Sequence, residues 1–114
     1  MEIITKESTI PGQNSDICKT IEYSFQNKNI DLGVATITGR FPDKGYAKNL
    51  VSAELVYIIE GEGSIHFQDE ILSYHKGDAI LIEPNEKYFY ETTYTVATLT
   101  CTPAWSPNQH VMED

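Results

Sequence analysis

Apolar and polar residues alternate along most of the chain with a period of two, which is typical of β-strands. The alternation is clearest over residues 94–102, where Ala97, Leu99 and Cys101 share one face. The pattern predicts about eight strands, over residues 17–25, 30–41, 50–60, 64–68, 71–75, 79–82, 87–91 and 94–102. Only the first of these ranges also fits one face of a helix. No predicted helix is long enough to cover a sheet, so we expect an all-β sandwich or barrel.

The two ends of the chain differ from the middle. Residues 1–16 show no clear period and are expected to form an N-terminal arm that turns at Pro11–Gly12. Residues 17–102 are expected to form the β-domain, and residues 103–114 a C-terminal tail. Ser106 stands at a helix N-cap position and is followed by proline, which predicts one or two helical turns in the tail.

Five consecutive apolar residues occupy positions 55–59, in the middle of a predicted strand. Because neighbouring side chains of a strand point to opposite faces, Val56 and Ile58 would face the barrel interior. The side chains that would then face outward are Leu55, Tyr57 and Ile59. An apolar outer face is typical of an association surface, so we expect a homodimer that buries it. The alternative is that residues 1–25 of the same chain cover this face.

The charge of the chain excludes some partners. The chain has 114 residues and a formal net charge of −9, which argues against binding to nucleic acid or to an anionic membrane surface. No stretch reaches membrane-spanning length, and the N-terminus lacks the features of a signal peptide. Cys18 and Cys101 are far apart in sequence and have no metal-ligand spacing, so we expect buried, reduced thiols in a cytoplasmic protein.

Two segments resemble the paired motifs of the cupin superfamily, and the chain is similar to its small single-domain bacterial members. In the first segment, residues 45–63, Gly45, Glu54 and Gly61 stand where that motif has its glycines and its glutamate. The second segment is residues 77–88, which opens on Gly-Asp and contains a proline before a turn. The resemblance implies a double-stranded β-helix, or jelly-roll barrel, with about eight core strands.

The metal ligands of the superfamily are mostly missing. In metal-binding cupins, histidines of both motifs and the glutamate of the first hold one divalent ion inside the barrel. The histidine positions are occupied here by Ala47 and Asn49 or by Lys48 and Leu50, according to register, and by Tyr88. Only Glu54 remains, and one carboxylate does not hold a transition metal. We therefore expect no metal cofactor; a divalent ion at Glu54, completed by Tyr88 and a histidine from elsewhere, is the less favoured alternative.

The resemblance also indicates which side chains meet inside the barrel. Asn49, Glu54 and Tyr88 would converge there, and Tyr90 would lie on the same strand face as Tyr88. Arg40 is expected at the barrel mouth, where it could neutralise Glu54, because a buried carboxylate needs a partner or a proton. These groups would either plug the barrel with a structural cluster of hydrogen bonds or form a binding site for a small polar molecule.

The tail contains Trp105 in a P-x-W-x-P-x-Q-H arrangement that resembles the ending of some small bacterial cupins. Trp105 would either cover the barrel mouth or pack the tail against the outside of the sheet. The three histidines, His66, His75 and His110, are expected to be scattered surface residues.

The sequence thus supports a metal-free cupin-like protein of uncertain biochemical role that binds a small polar ligand. The alternative is a metal-independent enzyme, of the kind that isomerises or epimerises sugars or sugar nucleotides, with Glu54 as base and Tyr88 or Tyr90 as acid. A metalloprotein with an atypical site is a second alternative.

Overall fold

The computed structural model describes residues 1–114, and almost all of its regular structure is β-strand. Its ten strands are β1 (Ile10–Ser15), β2 (Cys18–Tyr23), β3 (Leu32–Ile37), β4 (Arg40–Phe41), β5 (Tyr46–Asn49), β6 (Ala53–Phe67), β7 (Glu70–His75), β8 (Ala79–Ile82), β9 (Tyr88–Thr102) and β10 (His110–Glu113). The only helices are two 3-10 turns, Lys6–Ser8 and Pro107–Gln109. No helix has the length and apolarity needed to cross a membrane. The predicted all-β class is confirmed.

The sheet is organised around its two longest strands. β6 and β9 pair antiparallel over their whole lengths, from Ala53 opposite Thr102 to Phe67 opposite Tyr88. The edge of β9 that faces away from β6 pairs with β3, β4 and β5. The edge of β6 that faces away from β9 pairs with β7 and β8. β1 and β2 extend the sheet beyond β3, while β10 extends it beyond β5. The sheet curls into a barrel, which is the shape that the motifs predicted.

Two pairs of predicted strands are each one long, bent strand. The ranges 50–60 and 64–68 merge into β6, and the last two predicted strands merge into β9. Irregularities in register let these strands bend without breaking. Gly61 has φ +87° at the bend, and a Cβ there would lie 1.9 Å from the carbonyl oxygen of Tyr94. Gly61 therefore allows the backbones of β6 and β9 to approach closely within a continuous strand, where the sequence predicted a break between two strands.

Both ends of the chain are paired with the sheet. The expected turn at Pro11–Gly12 is wrong, because these residues lie within β1, which pairs with β2. In the tail, the predicted helical turn is present as Pro107–Gln109. The sequence did not predict β10, which follows directly and pairs with β5. These pairings place the tail residues beside the first cupin motif.

The alternation in β6 follows the prediction. Val56 and Ile58 are fully buried in the apolar core. The outward side chains keep 49%, 49% and 38% of their exposure, in the order Leu55, Tyr57 and Ile59. The alternative that residues 1–25 cover this face is therefore wrong for the single chain.

Candidate functional site

One end of the barrel encloses a cavity of about 70 Å³, here called the inner cavity. Its walls are supplied by strands β1, β2, β3, β4, β6, β9 and β10, with the loop before β3 and the segment that follows β9. Its polar side chains are those of Asn14, Thr20, Glu22, Asp31, Glu54, Tyr88, Tyr90 and His110. A space of this size has room for several water molecules or for one polar group of a small ligand.

The inner cavity exists because two neighbouring strands present unusual faces to the interior. β2 turns Cys18, Thr20 and Glu22 toward the cavity, so its polar side faces inward. β3 contributes Gly33 and Ala35, which leave the space open. A Cβ on Gly33 would lie 2.8 Å from a carboxylate oxygen of Glu22, so the glycine makes room for that carboxylate.

Glu54 lies in this cavity and is only 7% exposed. The Sγ of Cys101 donates to its Oε1 at 3.4 Å, and Nδ2 of Asn49 approaches the same oxygen at 3.5 Å. Burial raises the pKa of Glu54, and the nearby charges of Asp31 and Glu22 raise it further. Two weak, long hydrogen bonds do not replace the water that this carboxylate has lost, so it remains free to take a proton or a ligand.

Asn49 joins three parts of the site. Its Oδ1 accepts from Nε1 of Trp105 and from Nδ1 of His110, each at 3.1 Å. Because an amide oxygen only accepts, His110 carries its proton on Nδ1 and has a free lone pair on Nε2. Asn49 is itself 2% exposed and stands behind the cavity wall, so it positions Glu54, Trp105 and His110.

The expectation that His110 is a scattered surface residue is wrong. β10 brings it to the cavity wall, where its ring contacts that of Trp105 edge to face at 5.7 Å. Burial lowers its pKa, which keeps the imidazole neutral. The structure therefore provides one uncharged imidazole in the cavity, although neither cupin motif supplies one.

Tyr88 and Tyr90 line the cavity as the resemblance implied, and each is 4% exposed. Their rings meet edge to face at 5.7 Å. The hydroxyl of Tyr90 is buried and has no hydrogen-bond partner. Burial raises the pKa of both phenols well above the ordinary value, and the charge of Glu54 adds to the effect. A buried hydroxyl without a partner is unusual in a folded protein and points to a missing ligand group or water.

Trp105 stands at the cavity mouth. Its backbone N–H donates to Oδ2 of Asp31 at 2.8 Å, and Oδ1 of Asp31 accepts from the backbone N–H of Cys101 at 2.7 Å. The Trp105 side chain, 36% exposed, lines both the inner cavity and a wider depression outside it, here called the outer groove. The outer groove also includes Tyr23 and Phe25. Of the two expected positions for Trp105, the structure has the one at the barrel mouth.

Arg40 is not in the site, which corrects the predicted ion pair with Glu54. Its Nη1 and Nη2 donate to the backbone carbonyls of Pro42 at 2.6 Å and Gly45 at 3.0 Å. Its guanidinium lies 3.8 Å from the centroid of the Phe89 ring. Since β4 points this side chain away from the cavity, Arg40 supports the loop after β4 and leaves Glu54 without a cation.

The other two histidines lie outside the cavity. His66 is also not a scattered surface residue, because it stacks on Phe89 at 4.1 Å and its Nε2 lies 2.6 Å from Oε1 of Glu91. His75 is exposed, as expected.

The residues around Glu54 do not fit a cupin metal site. No three His, Cys, Asp or Glu side chains are grouped so that they could hold a metal ion. Next to Glu54 stand an amide, two phenols and a thiol that donates to it, and the nearest imidazole is bonded to Asn49. A transition metal would require two or three additional nitrogen, oxygen or sulfur ligands in place of these groups.

Three cavity residues were not predicted from the sequence: His110, Glu22 and Asp31. Glu22 could have been found from the polar side of β2, if the barrel interior had been taken as polar. Asp31 and His110 come from a loop and from the tail, and only the paired register of the sheet brings them to the site.

The sequence profile of the AraC-like ligand-binding domain matches residues 31–104, which is more than half of the chain. The chain belongs to this family. The match includes Glu54, both cavity tyrosines and Asp31, and it ends one residue before Trp105. A search of curated proteins finds no significant match.

Solved structures resemble this AraC-like domain closely in fold and weakly in sequence. Pac13, a nucleoside dehydratase, superposes with a TM-score of 0.86 at 17% identity, over 99% of this chain and 91% of its own. A variant of Streptomyces Pac13 with uridine gives 0.84 at 17% identity, over 96% and 88%. Ectoine synthase from P. lautus gives 0.74 at 15% identity, over 100% and 91%. These likenesses confirm the predicted cupin fold.

Proposed function

We propose that this cupin-fold ligand-binding domain holds one small polar organic molecule in its inner cavity, without a metal ion. The observation that carries the proposal is the buried, unpartnered hydroxyl of Tyr90 in the same cavity as an incompletely bonded Glu54. A ligand that forms hydrogen bonds to both would satisfy polar groups for which the chain itself supplies no full set of partners. Asn49 would position the site, and Trp105 would cover its mouth.

The probes for a first test are uridine and glucose. Uridine is chosen because a structural neighbour is described with it, and glucose because it offers many hydroxyls without a base. We expect isothermal titration calorimetry to detect binding of at least one of them. Elemental analysis of untagged protein should find no stoichiometric transition metal.

The decisive variant is Tyr90→Phe, which removes one oxygen and keeps the ring. Because that oxygen has no partner in the unliganded protein, its loss should leave stability unchanged or raise it slightly. Ligand affinity should fall by about tenfold, the effect of one lost hydrogen bond inside a cavity. Tyr94→Phe is the matched control, since Tyr94 lies on the same strand and is 50% exposed. A structural cluster without a ligand would give no binding, and Tyr90→Phe would then alter stability alone.

A second candidate function is acid–base catalysis, favoured by the free Nε2 of His110 in the same cavity as Glu54. His110 would remove a proton from a carbon next to a carbonyl, while protonated Glu54 gives its proton to the carbonyl oxygen. His110 then gives its proton to the former carbonyl carbon while Glu54 takes the proton of the adjacent hydroxyl, which completes an isomerisation without a cofactor and returns both groups to their starting states. These roles differ from the expected ones, in which Glu54 is the base and Tyr88 or Tyr90 the acid; burial raises the pKa of both phenols, which favours Glu54 as the proton donor.

The test for catalysis is hydrogen exchange at carbon. The protein would be incubated with hydroxy-aldehydes and keto sugars in deuterium oxide, and proton NMR would follow deuterium entry beside the carbonyl. We expect His110→Gln and Glu54→Gln each to abolish the exchange. Exchange at the wild-type rate in both variants would dismiss these roles, and its absence throughout would favour a binding protein.

The proposed partner for the exposed apolar face of β6 is a second copy of the chain. Leu55, Tyr57 and Ile59 lie next to Leu81 of β8, which is 58% exposed, so the patch spans two strands. We expect sedimentation equilibrium to give twice the chain mass, and Tyr57→Glu to give a monomer. Ile3→Glu, a substitution at an exposed residue of the N-terminal segment, is the control. A wild-type monomer at high protein concentration would contradict the dimer.

The free, buried thiols of Cys18 and Cys101 support the proposal that the protein works in the reducing cytoplasm. Fractionation of cells that express the natural chain, followed by immunoblotting, would test the location.

A further inference from the structure

The inner cavity contains an imbalance of charge that limits what it can bind. Three carboxylates line it, those of Glu22, Asp31 and Glu54, and no lysine or arginine does. Its one imidazole, that of His110, has a pKa lowered by burial and is neutral. Arg40, the cation expected to compensate Glu54, is bonded elsewhere.

The outer groove does not restore the balance. Lys28 is the only basic residue that lines it, and its Nζ donates to the carbonyl oxygen of Phe25 at 2.5 Å and to Oγ of Ser24 at 3.3 Å. Glu22 and Asp31 line the groove as well as the cavity, so a ligand passes both carboxylates on its way to Glu54. The outer groove therefore sets one cation against two carboxylates, and the lining from solvent to Glu54 keeps a negative balance of charge.

The like charges act on each other. Burial raises the pKa of Glu22 and of Glu54; the charge of Asp31 raises both further, and the charge of Glu22 adds to the rise at Glu54. A positive charge placed among these carboxylates would relieve this repulsion, whereas an anion would add to it. Asp31 is the least free of the three, because it accepts two backbone hydrogen bonds.

The unpartnered hydroxyl of Tyr90 independently indicates a place for a ligand group in the cavity that Glu54 also lines. A phenol can accept a hydrogen bond as well as donate one, and a carboxylate only accepts. A group made only of donors, such as an ammonium, fits both at once. The aromatic rings of Tyr88, Tyr90 and Trp105 in the wall also favour a cation over an anion.

We infer that the ligand carries a protonated amine, which enters the inner cavity and pairs with Glu54, with Glu22 as the second carboxylate. This inference rests on the proposed function and names the chemical class of its ligand. It excludes phosphorylated and carboxylated molecules, and so excludes sugar nucleotides, which were among the substrates expected from the resemblance.

The test compares molecules of one shape and three charges. In the first set, glucosamine carries an amine, glucose is neutral and glucuronate is an anion. The second set consists of three uracil nucleosides: uridine with an amine in place of its primary hydroxyl, unmodified uridine, and uridine phosphorylated at that hydroxyl. Calorimetry near neutral pH should show the amine bound at least about tenfold more tightly than the neutral molecule, the usual scale of one charge-assisted hydrogen bond. The anion should show no detectable binding.

Three variants connect this preference to the cavity. Glu54→Gln and Glu22→Gln keep the shapes of the side chains and should each reduce the amine preference by about tenfold. Glu70→Gln removes one negative charge at the exposed tip of the β6–β7 hairpin and should leave the preference unchanged. Circular dichroism establishes that each variant is folded. The use of two carboxylate variants keeps the test valid if one of them fails to fold.

Salt separates a buried ion pair from general attraction to an acidic protein. The chain carries a net charge of −9, which attracts amines weakly to any part of its surface. In about 1 M salt the screening length is about 3 Å, which suppresses surface attraction and affects a buried pair much less. The amine preference should therefore persist in high salt.

The outcomes distinguish this inference from the proposed function. Equal or tighter binding of the neutral or anionic member in either set, or loss of the amine preference in high salt, overturns the amine inference and leaves the ligand site standing. No binding by any of the six molecules counts against the proposed function and the inference together.

Discussion

Two hydrogen bonds join Gln109 to Ser52. The Nε2 of Gln109 donates to Oγ of Ser52 at 2.8 Å, while its Oε1 accepts from the backbone N–H of Ser52 at 2.7 Å. The same Oε1 accepts from the backbone N–H of Val51 at 3.1 Å. One buried side chain thereby attaches the tail to the start of β6, directly before His110.

Replacement of Gln109 by leucine should destabilise the protein by about 2–4 kcal/mol, because two backbone N–H groups lose their only acceptor in a buried place. Urea unfolding followed by circular dichroism measures this. Asn108→Ala, at the exposed neighbouring position, should change stability by less than about 0.5 kcal/mol. A Gln109→Leu variant as stable as the Asn108→Ala control would show that the tail is not attached through these bonds.

Glu54→Gln should stabilise the protein more at high pH than at low pH. Burial raises the pKa of Glu54 above its ordinary 4.5, so the folded protein keeps this proton at pH values where the unfolded chain has released it. Stability of the wild type therefore falls as pH rises through that window, and glutamine removes this fall. The melting temperatures of the two proteins should nearly agree at about pH 4 and differ at about pH 8. A difference that is constant with pH would contradict a raised pKa.

Glu113 should show the opposite behaviour. The Nζ atoms of Lys48 and Lys87 approach its two carboxylate oxygens at 2.8 Å and 2.5 Å, and these bonds lower its pKa to about 2. Its contribution to stability is present above the ordinary pKa of 4.5 and is lost as pH falls toward 2. Carbon-13 NMR titration of this carboxyl should give a midpoint near 2. Lys48→Met and Lys87→Met should each move the midpoint upward, and an unmoved midpoint in both would refute the assignment.

Arg40→Lys should reduce stability by about 1–2 kcal/mol and leave ligand affinity unchanged. Lysine cannot bond to the carbonyls of Pro42 and Gly45 together while lying flat on Phe89. Urea unfolding and uridine calorimetry on the same preparation measure the two effects. A loss of ligand affinity without a loss of stability would show that Arg40 belongs to the binding site.

Much of the barrel could be predicted because its rules are local. The alternation of Val56 and Ile58 with outward apolar residues follows from the geometry of one strand, and it is confirmed. Gly77 and Pro84 mark, respectively, a positive-φ turn and the break that follows β8. Glu54 was found from its position in the first cupin motif, and the structure places it in the cavity wall.

The rest could not be predicted because it depends on distant pairings. His110 reaches the site only because β10 pairs with β5, which brings it opposite Asn49. The face of β2 that carries Glu22 points inward because the interior at this end of the barrel is a polar cavity. The usual rule that apolar side chains point inward therefore fails for β2. Arg40 was misplaced for a similar reason: the backbone carbonyls of its own loop are nearer than the carboxylate across the barrel.

Trp105 is the only tryptophan of the chain, and it stands where the inner cavity opens to the outer groove. All indole fluorescence of the protein thus originates at the mouth of the inner cavity. An occupant that displaces water from this ring would shift the emission to shorter wavelength and slow its quenching by iodide. The molecule therefore contains its own optical reporter, with which a library of amines could be screened without any label.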